Sequence, residues 1–171
     1  MFLALYIALR EVNRAYATLA MVLAFIGIAV VIATNLGYSM IYLSDQYAAA
    51  TDEAYQTQLL AAGEALLATG ASGTGPLAAD FLLETALVII SVIMLRSELF
   101  SKRIATLGIV AHGLDLAHAI IFSIFIPAFG ADLALTIGVP LLWIGGTLQL
   151  VWYPLVGWRF LQLGRGRRGT T

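Results

Sequence analysis

Four apolar runs, each about as long as a hydrocarbon core is thick, leave this chain few ways to fold. They cover residues 15–36, 76–95, 104–126 and 133–158. A helix needs roughly 20 residues to cross ~30 Å of hydrocarbon. In lipid every backbone amide and carbonyl must find a partner inside the protein, which a helix provides and an open strand does not. Charged residues make up only 11% of the 171, against 61% hydrophobic, well below the charge share of a soluble domain. The expected fold is all-α: an integral membrane four-helix bundle forming a single membrane domain.

The nine basic residues set its orientation. Arg10 and Arg14 precede the first run, Arg96, Lys102 and Arg103 separate the second from the third, and Arg159, Arg165, Arg167 and Arg168 follow the fourth. Basic loops resist translocation, so both termini and the loop near residue 100 are expected in the cytoplasm. The long connection over residues 37–75 would then lie outside, and its charges, Asp45, Asp52, Glu53 and Glu64, are all acidic. Thr51 or Asp52 can cap a helix there. Tyr55, Leu59, Leu66 and Leu67 recur at helical spacing, which predicts an extracytoplasmic amphipathic helix over about 52–69. Such a helix could rest on the outer leaflet or cap the bundle, with residues 70–75 as a glycine-rich linker. Residues 1–14 pose a separate problem. As a helix, Met1 to Leu9 would be only ~14 Å long, about half a bilayer. It is expected as a shallow interfacial segment or one packed on the bundle, or else as a half-span of a chain shorter than its natural ancestor.

Ionisable residues inside the runs are the candidate site. Asp80 and Glu84 share a face of the second helix, and His112, Asp115 and His118 follow at steps of three on the third. The flanking arginines serve as a ruler. Glu84 lies twelve residues from Arg96 and Asp115 twelve from Arg103, so both are roughly 18 Å inside the cytoplasmic anchors. Asp80 and His118 fall roughly 23 Å in, and His112 roughly 14 Å in, near the depth of Gln149. A short loop makes the two helices antiparallel neighbours, so Asp80, Glu84, Asp115 and His118 form a candidate intramembrane cluster with His112 and Gln149 nearby. Ionised carboxylates at this depth are expensive; they should face inward and share protons or pair with imidazolium. Glu84, Asp115 and His118 also have the donor chemistry for a divalent metal such as zinc or manganese. The spacing matches no specific metal motif, and polar side chains in bundles also serve simply as interhelical glue.

Other features suit a membrane bundle. Gly113 with Ala117, and Ala119 with Ser123, offer small faces for close helix approach. Pro140 is expected to kink the fourth helix and Gly145-Gly146 to loosen it. Trp152, Tyr153 and Trp158 are expected to anchor at the cytoplasmic interface. The basic tail, residues 159–171, should contact anionic lipid. Net charge is −1 and cysteine is absent. Nucleic acid is therefore not an expected partner, thiolate chemistry is excluded, and no cofactor is demanded. No catalytic residues can be assigned, and an enzyme is not expected.

Several local patterns carry a resemblance: Leu9-Arg-Glu-Val-Asn-Arg14, Leu60-Ala-Ala-Gly-Glu-Ala-Leu-Leu67, Met94-Leu-Arg-Ser97 with Phe100-Ser-Lys102, and Trp158-Arg-Phe-Leu-Gln-Leu-Gly164. Together the chain resembles a family of bacterial and archaeal integral membrane proteins known only as a domain of unknown function. The resemblance implies a prokaryotic inner (cytoplasmic) membrane, and family members usually carry further spanning sequence before the position of Met1. It implies no activity, cofactor or catalytic residue.

Two functions fit these residues. The leading one is a small polytopic membrane protein with a structural, accessory or sensing role, working through helix packing and its outer segment. The alternative is a proton- or divalent-metal-linked carrier or membrane enzyme centred on the carboxylate and histidine cluster. In either case a second copy or a partner membrane protein could supply further volume.

Overall fold

The structure is a computed structural model and describes residues 1–72, 74–125 and 131–166. The described residues form helices joined by short turns, without strands. These are α1 (Phe2–Leu9), α2 (Arg14–Ala33), α3 (Gly37–Ala49), α4 (Glu53–Ser72), α5 (Thr74–Arg96), α6 (Lys102–Ile120) and α7 (Ala131–Gly166). A π-helical turn, Ile121–Phe125, extends α6. Four helical stretches are long and apolar enough to cross a membrane: Arg14–Ala49, Glu53–Arg96, Lys102–Ser123 and Leu135–Arg165. Their outward faces are apolar, with Ile32, Trp143 and Leu150 at least 70% exposed, the reverse of a water-soluble surface.

Packing runs in chain order, α2 on α5, α5 on α6 and α6 on α7. α2 turns a small-residue stripe inward, Ala17, Ala20, Ala24 and Gly27. A methyl group on Gly27 would press on Leu83 and on the carbonyl of Ala79, and one on Gly75 would meet Thr34. As the number rises along α2 it falls along α5, so the two helices are antiparallel. Lipid offers no hydrophobic drive for such pairing, and close backbone approach supplies it through van der Waals contact.

α1 packs on α2 and α5 and buries Leu5 and Leu9. The turn that follows ends at Asn13, whose Oδ1 accepts the Tyr16 amide at 3.1 Å and so caps α2.

The connection over residues 37–75 contains two helices rather than one. α3 was not expected; it pairs with α4 as a hairpin. Asp52 caps α4 by accepting the Ala54 and Tyr55 amides at 3.4 and 3.3 Å. The half-buried seam of α4 is Leu59, Gly63, Leu66 and Gly70, facing Leu36, Met40 and Leu43 of the other arm. Tyr55 and Leu67, assigned to the apolar face by periodicity, are exposed. Glycines fill the gaps of that face, which a search for apolar residues overlooks. α4 thus lies along α3 rather than across the bundle. The stretch read as a glycine-rich linker is helical through Ser72 and again from Thr74, with Gly73 outside the described residues. Residues 126–130 and the basic ending beyond Gly166 also lie outside them.

Candidate intramembrane polar site

α6 and α7 meet along seams spaced alternately by three and four residues. On α6 the seam is Gly108, His112, Asp115 and Ala119; on α7 it is Gly145, Gln149, Trp152 and Val156. This is the spacing of a left-handed helix pair. What distinguishes it is that glycines stand opposite large or polar side chains. A methyl group on Gly108 would meet Ser91 Oγ and the indole of Trp152; one on Gly145 would meet the Asp115 carboxylate and the carbonyl of Ala111; one on Gly138 would meet Phe122 and His118. Each glycine leaves the room its neighbour's side chain occupies.

Within this frame the polar groups bond across three helices. His112, fully buried, places Nδ1 2.8 Å from Oε2 of Glu84 on α5. Where Glu84 is ionised its carboxylate accepts and Nδ1 carries the hydrogen. Gln149 on α7 donates its amide Nε2 to Asp115 Oδ2 at 2.5 Å and to Glu84 Oε2 at 3.3 Å. One neutral amide thus bridges two acids. The imidazole of His112 stands edge-on to Trp152 and Tyr153, with ring centres 4.7 and 5.9 Å away. Trp152 is itself fully buried and donates Nε1–H to the Ile104 carbonyl at 3.0 Å. Among the described residues, four buried side-chain atoms have no hydrogen-bond partner: His112 Nε2 and Asp115 Oδ1 in this network, and Thr85 Oγ1 and Ser91 Oγ on α5.

The expected cluster is therefore redistributed. Glu84 and Asp115 come together, and His112 and Gln149, taken as neighbours, are their bonding partners. The long glutamate side chain spans the helical turn of depth that separates Glu84 from His112. His118 points elsewhere: its Nδ1 donates to the Gly138 carbonyl at 2.9 Å, and its ring lies 4.4 Å from that of Phe122. Asp80 is exposed, within Coulombic reach of Glu84 and His118 but without a hydrogen bond among the described residues. Among the described residues no group of three or more histidine, aspartate or glutamate side chains is placed to hold a metal ion. The Glu84, Asp115 and His118 donor set is not assembled, because the gap at Gly138 draws His118 toward α7.

Sequence reasoning also missed residues here. Trp152 was expected at the interface and instead fills the core; its signal was Gly108 on the facing helix, a hole the size of an indole edge. Gly113 was expected at a close contact and has open space where its side chain would be. Gly145 was expected to loosen α7, yet it is buried against Asp115 within a continuous helix.

No curated protein and no solved structure matches this chain. Residues 1–156, which include every contact of the polar site, match the family described as Domain of unknown function (DUF4386), and the chain belongs to that family.

Proposed function

We propose that this is a multi-pass protein of a prokaryotic cytoplasmic membrane with both termini inside. In this reading it serves a structural, accessory or sensing role through helix packing and through the α3–α4 hairpin outside. The observation that carries this reading is the hydrogen-bonded run His112–Glu84–Gln149–Asp115, whose three bonds tie α5, α6 and α7 together. Interhelical hydrogen bonds in lipid contribute roughly 0.6–2 kcal/mol each, enough together to fix one register among otherwise apolar helices. The basic clusters support the orientation, since the antiparallel order brings Arg14, Arg96 and Lys102 to one end.

The orientation can be read directly because the chain has no cysteine. In intact spheroplasts, Gln58→Cys in the hairpin is expected to react with a membrane-impermeant thiol reagent. Glu98→Cys should react only after permeabilisation. The opposite pattern would overturn the topology.

A proton-linked carrier is the second reading, favoured by the unpartnered buried atoms Asp115 Oδ1 and His112 Nε2. Liposomes containing the chain and a pH-sensitive dye separate the two. The accessory reading expects no proton movement beyond that of empty liposomes. A flux that falls in Glu84→Gln and Asp115→Asn would replace it with the carrier reading.

A further inference from the structure

The α2–α5 pair carries a groove of ≈ 280 Å³ that the polar site does not use. Its wall on α5 includes Val88, Ile89 and Val92 and ends at Arg96, while Asn13 and Tyr16 close it at the start of α2. From Val88 to Arg96 the groove runs about 12 Å along the helix. None of its wall comes from α1, although α1 packs on the same two helices. The lining therefore changes with depth, aliphatic toward the membrane interior and polar and basic at the end.

The charges at that end are uncompensated. Arg96 is exposed and forms no ion pair with a described residue, and the same holds for Arg14. Arg14 is the first residue of α2, next in sequence to the groove residue Asn13, and lines the adjoining hollow with Arg10 and Glu11. A cation there adds to the positive end of the helix dipole, and the first turn of α2 contains no acidic residue. Carboxylates normally occupy such positions. An external anion would relieve the repulsion.

We propose that this groove binds an anionic glycerophospholipid of the cytoplasmic leaflet, one acyl chain lying along Val88–Val92 and the phosphate at Arg96 and Arg14. Basic pockets between spanning helices on the cytoplasmic side recognise acidic headgroups by this combination of apolar wall and cationic rim. The proposal rests on the topology given above.

Native mass spectrometry of the full chain tests it, after release from nanodiscs of phosphatidylglycerol mixed with phosphatidylcholine. One phosphatidylglycerol per chain should be retained in preference to phosphatidylcholine. Arg96→Gln and Arg14→Gln should each reduce that preference about fivefold. Arg103→Gln, at the start of α6 and outside the groove wall, should leave it unchanged. Val92→Trp, which fills the groove and keeps both charges, should abolish retention. Equal retention of the two lipids, or an equal loss in Arg103→Gln, would overturn the proposal. If Val92→Trp does not fold, the exposed arginine variants decide the matter alone. Failure of the topology is distinguishable, since Glu98→Cys would then be labelled from outside. With Glu98→Cys protected and no lipid preference, only the groove proposal fails.

Discussion

Gly108→Ala is expected to destabilise the folded chain by about 2–3 kcal/mol, although it adds a single methyl group. That methyl would meet Ser91 Oγ and approach Trp152 Nε1 to 2.5 Å and Cε2 to 2.9 Å. Neither neighbour can yield easily. Ser91 is fully buried on α5, and Trp152 is the largest fully buried side chain, held by its bond to the Ile104 carbonyl. Displacing the indole would break that bond and open its contact with His112. Gly113→Ala is the control, because open space lies where its methyl would go. There the gain in helix propensity should leave stability unchanged or raise it by up to ~1 kcal/mol. Unfolding both variants in mixed micelles by titration with denaturing detergent measures the difference. Equal tolerance at the two positions would mean that α6 and α7 do not meet along this seam.

The second large effect is expected at Glu84. In Glu84→Leu the buried Nδ1 of His112 loses its hydrogen-bond partner, and one of the two contacts of the Gln149 amide goes with it. The cost should be about 2 kcal/mol, set by leaving a buried polar atom of His112 without its partner. Glu84→Gln keeps an oxygen that can accept from His112 and should cost less than ~1 kcal/mol. The contrast matters more than either value, since both variants remove the carboxyl group and only one removes the hydrogen-bonding partner of His112. If Glu84→Gln proved as damaging as Glu84→Leu, charge rather than hydrogen bonding would hold the three helices together.

How much of this could be read from the residues follows from what each kind of signal encodes. The apolar runs and basic clusters reflect the solvent, and lipid leaves a chain little choice of local structure, so the all-helical fold was legible. Depth was legible too, because rise per residue is constant: the ruler from Arg96 and Arg103 puts Glu84 and Asp115 level, and one amide of Gln149 contacts both. Azimuth was not. Which way His118 turns depends on Gly138, twenty residues away, and a missing side chain leaves no mark in a hydropathy pattern. Trp152 shows the same blindness, since an indole near the end of a span suits an interface until the hole at Gly108 is known. The hairpin was half legible for a related reason. α4 has the caps and acidic start of a helix, while α3 packs through scattered contacts around Met40 and Leu43 and buries no residue fully.

The contact between His112 and Glu84 ties α6 to α5, and the chain contains only two histidines. Ring-nitrogen NMR of histidine-labelled protein in bilayers can therefore observe that contact without ambiguity, with His118→Gln assigning the signals. Glu84→Gln is expected to shift the Nδ1 resonance of His112 and to leave that of His118, bonded to Gly138, in place. A shift confined to His118, or none at either ring, would mean that His112 and Glu84 are not in contact.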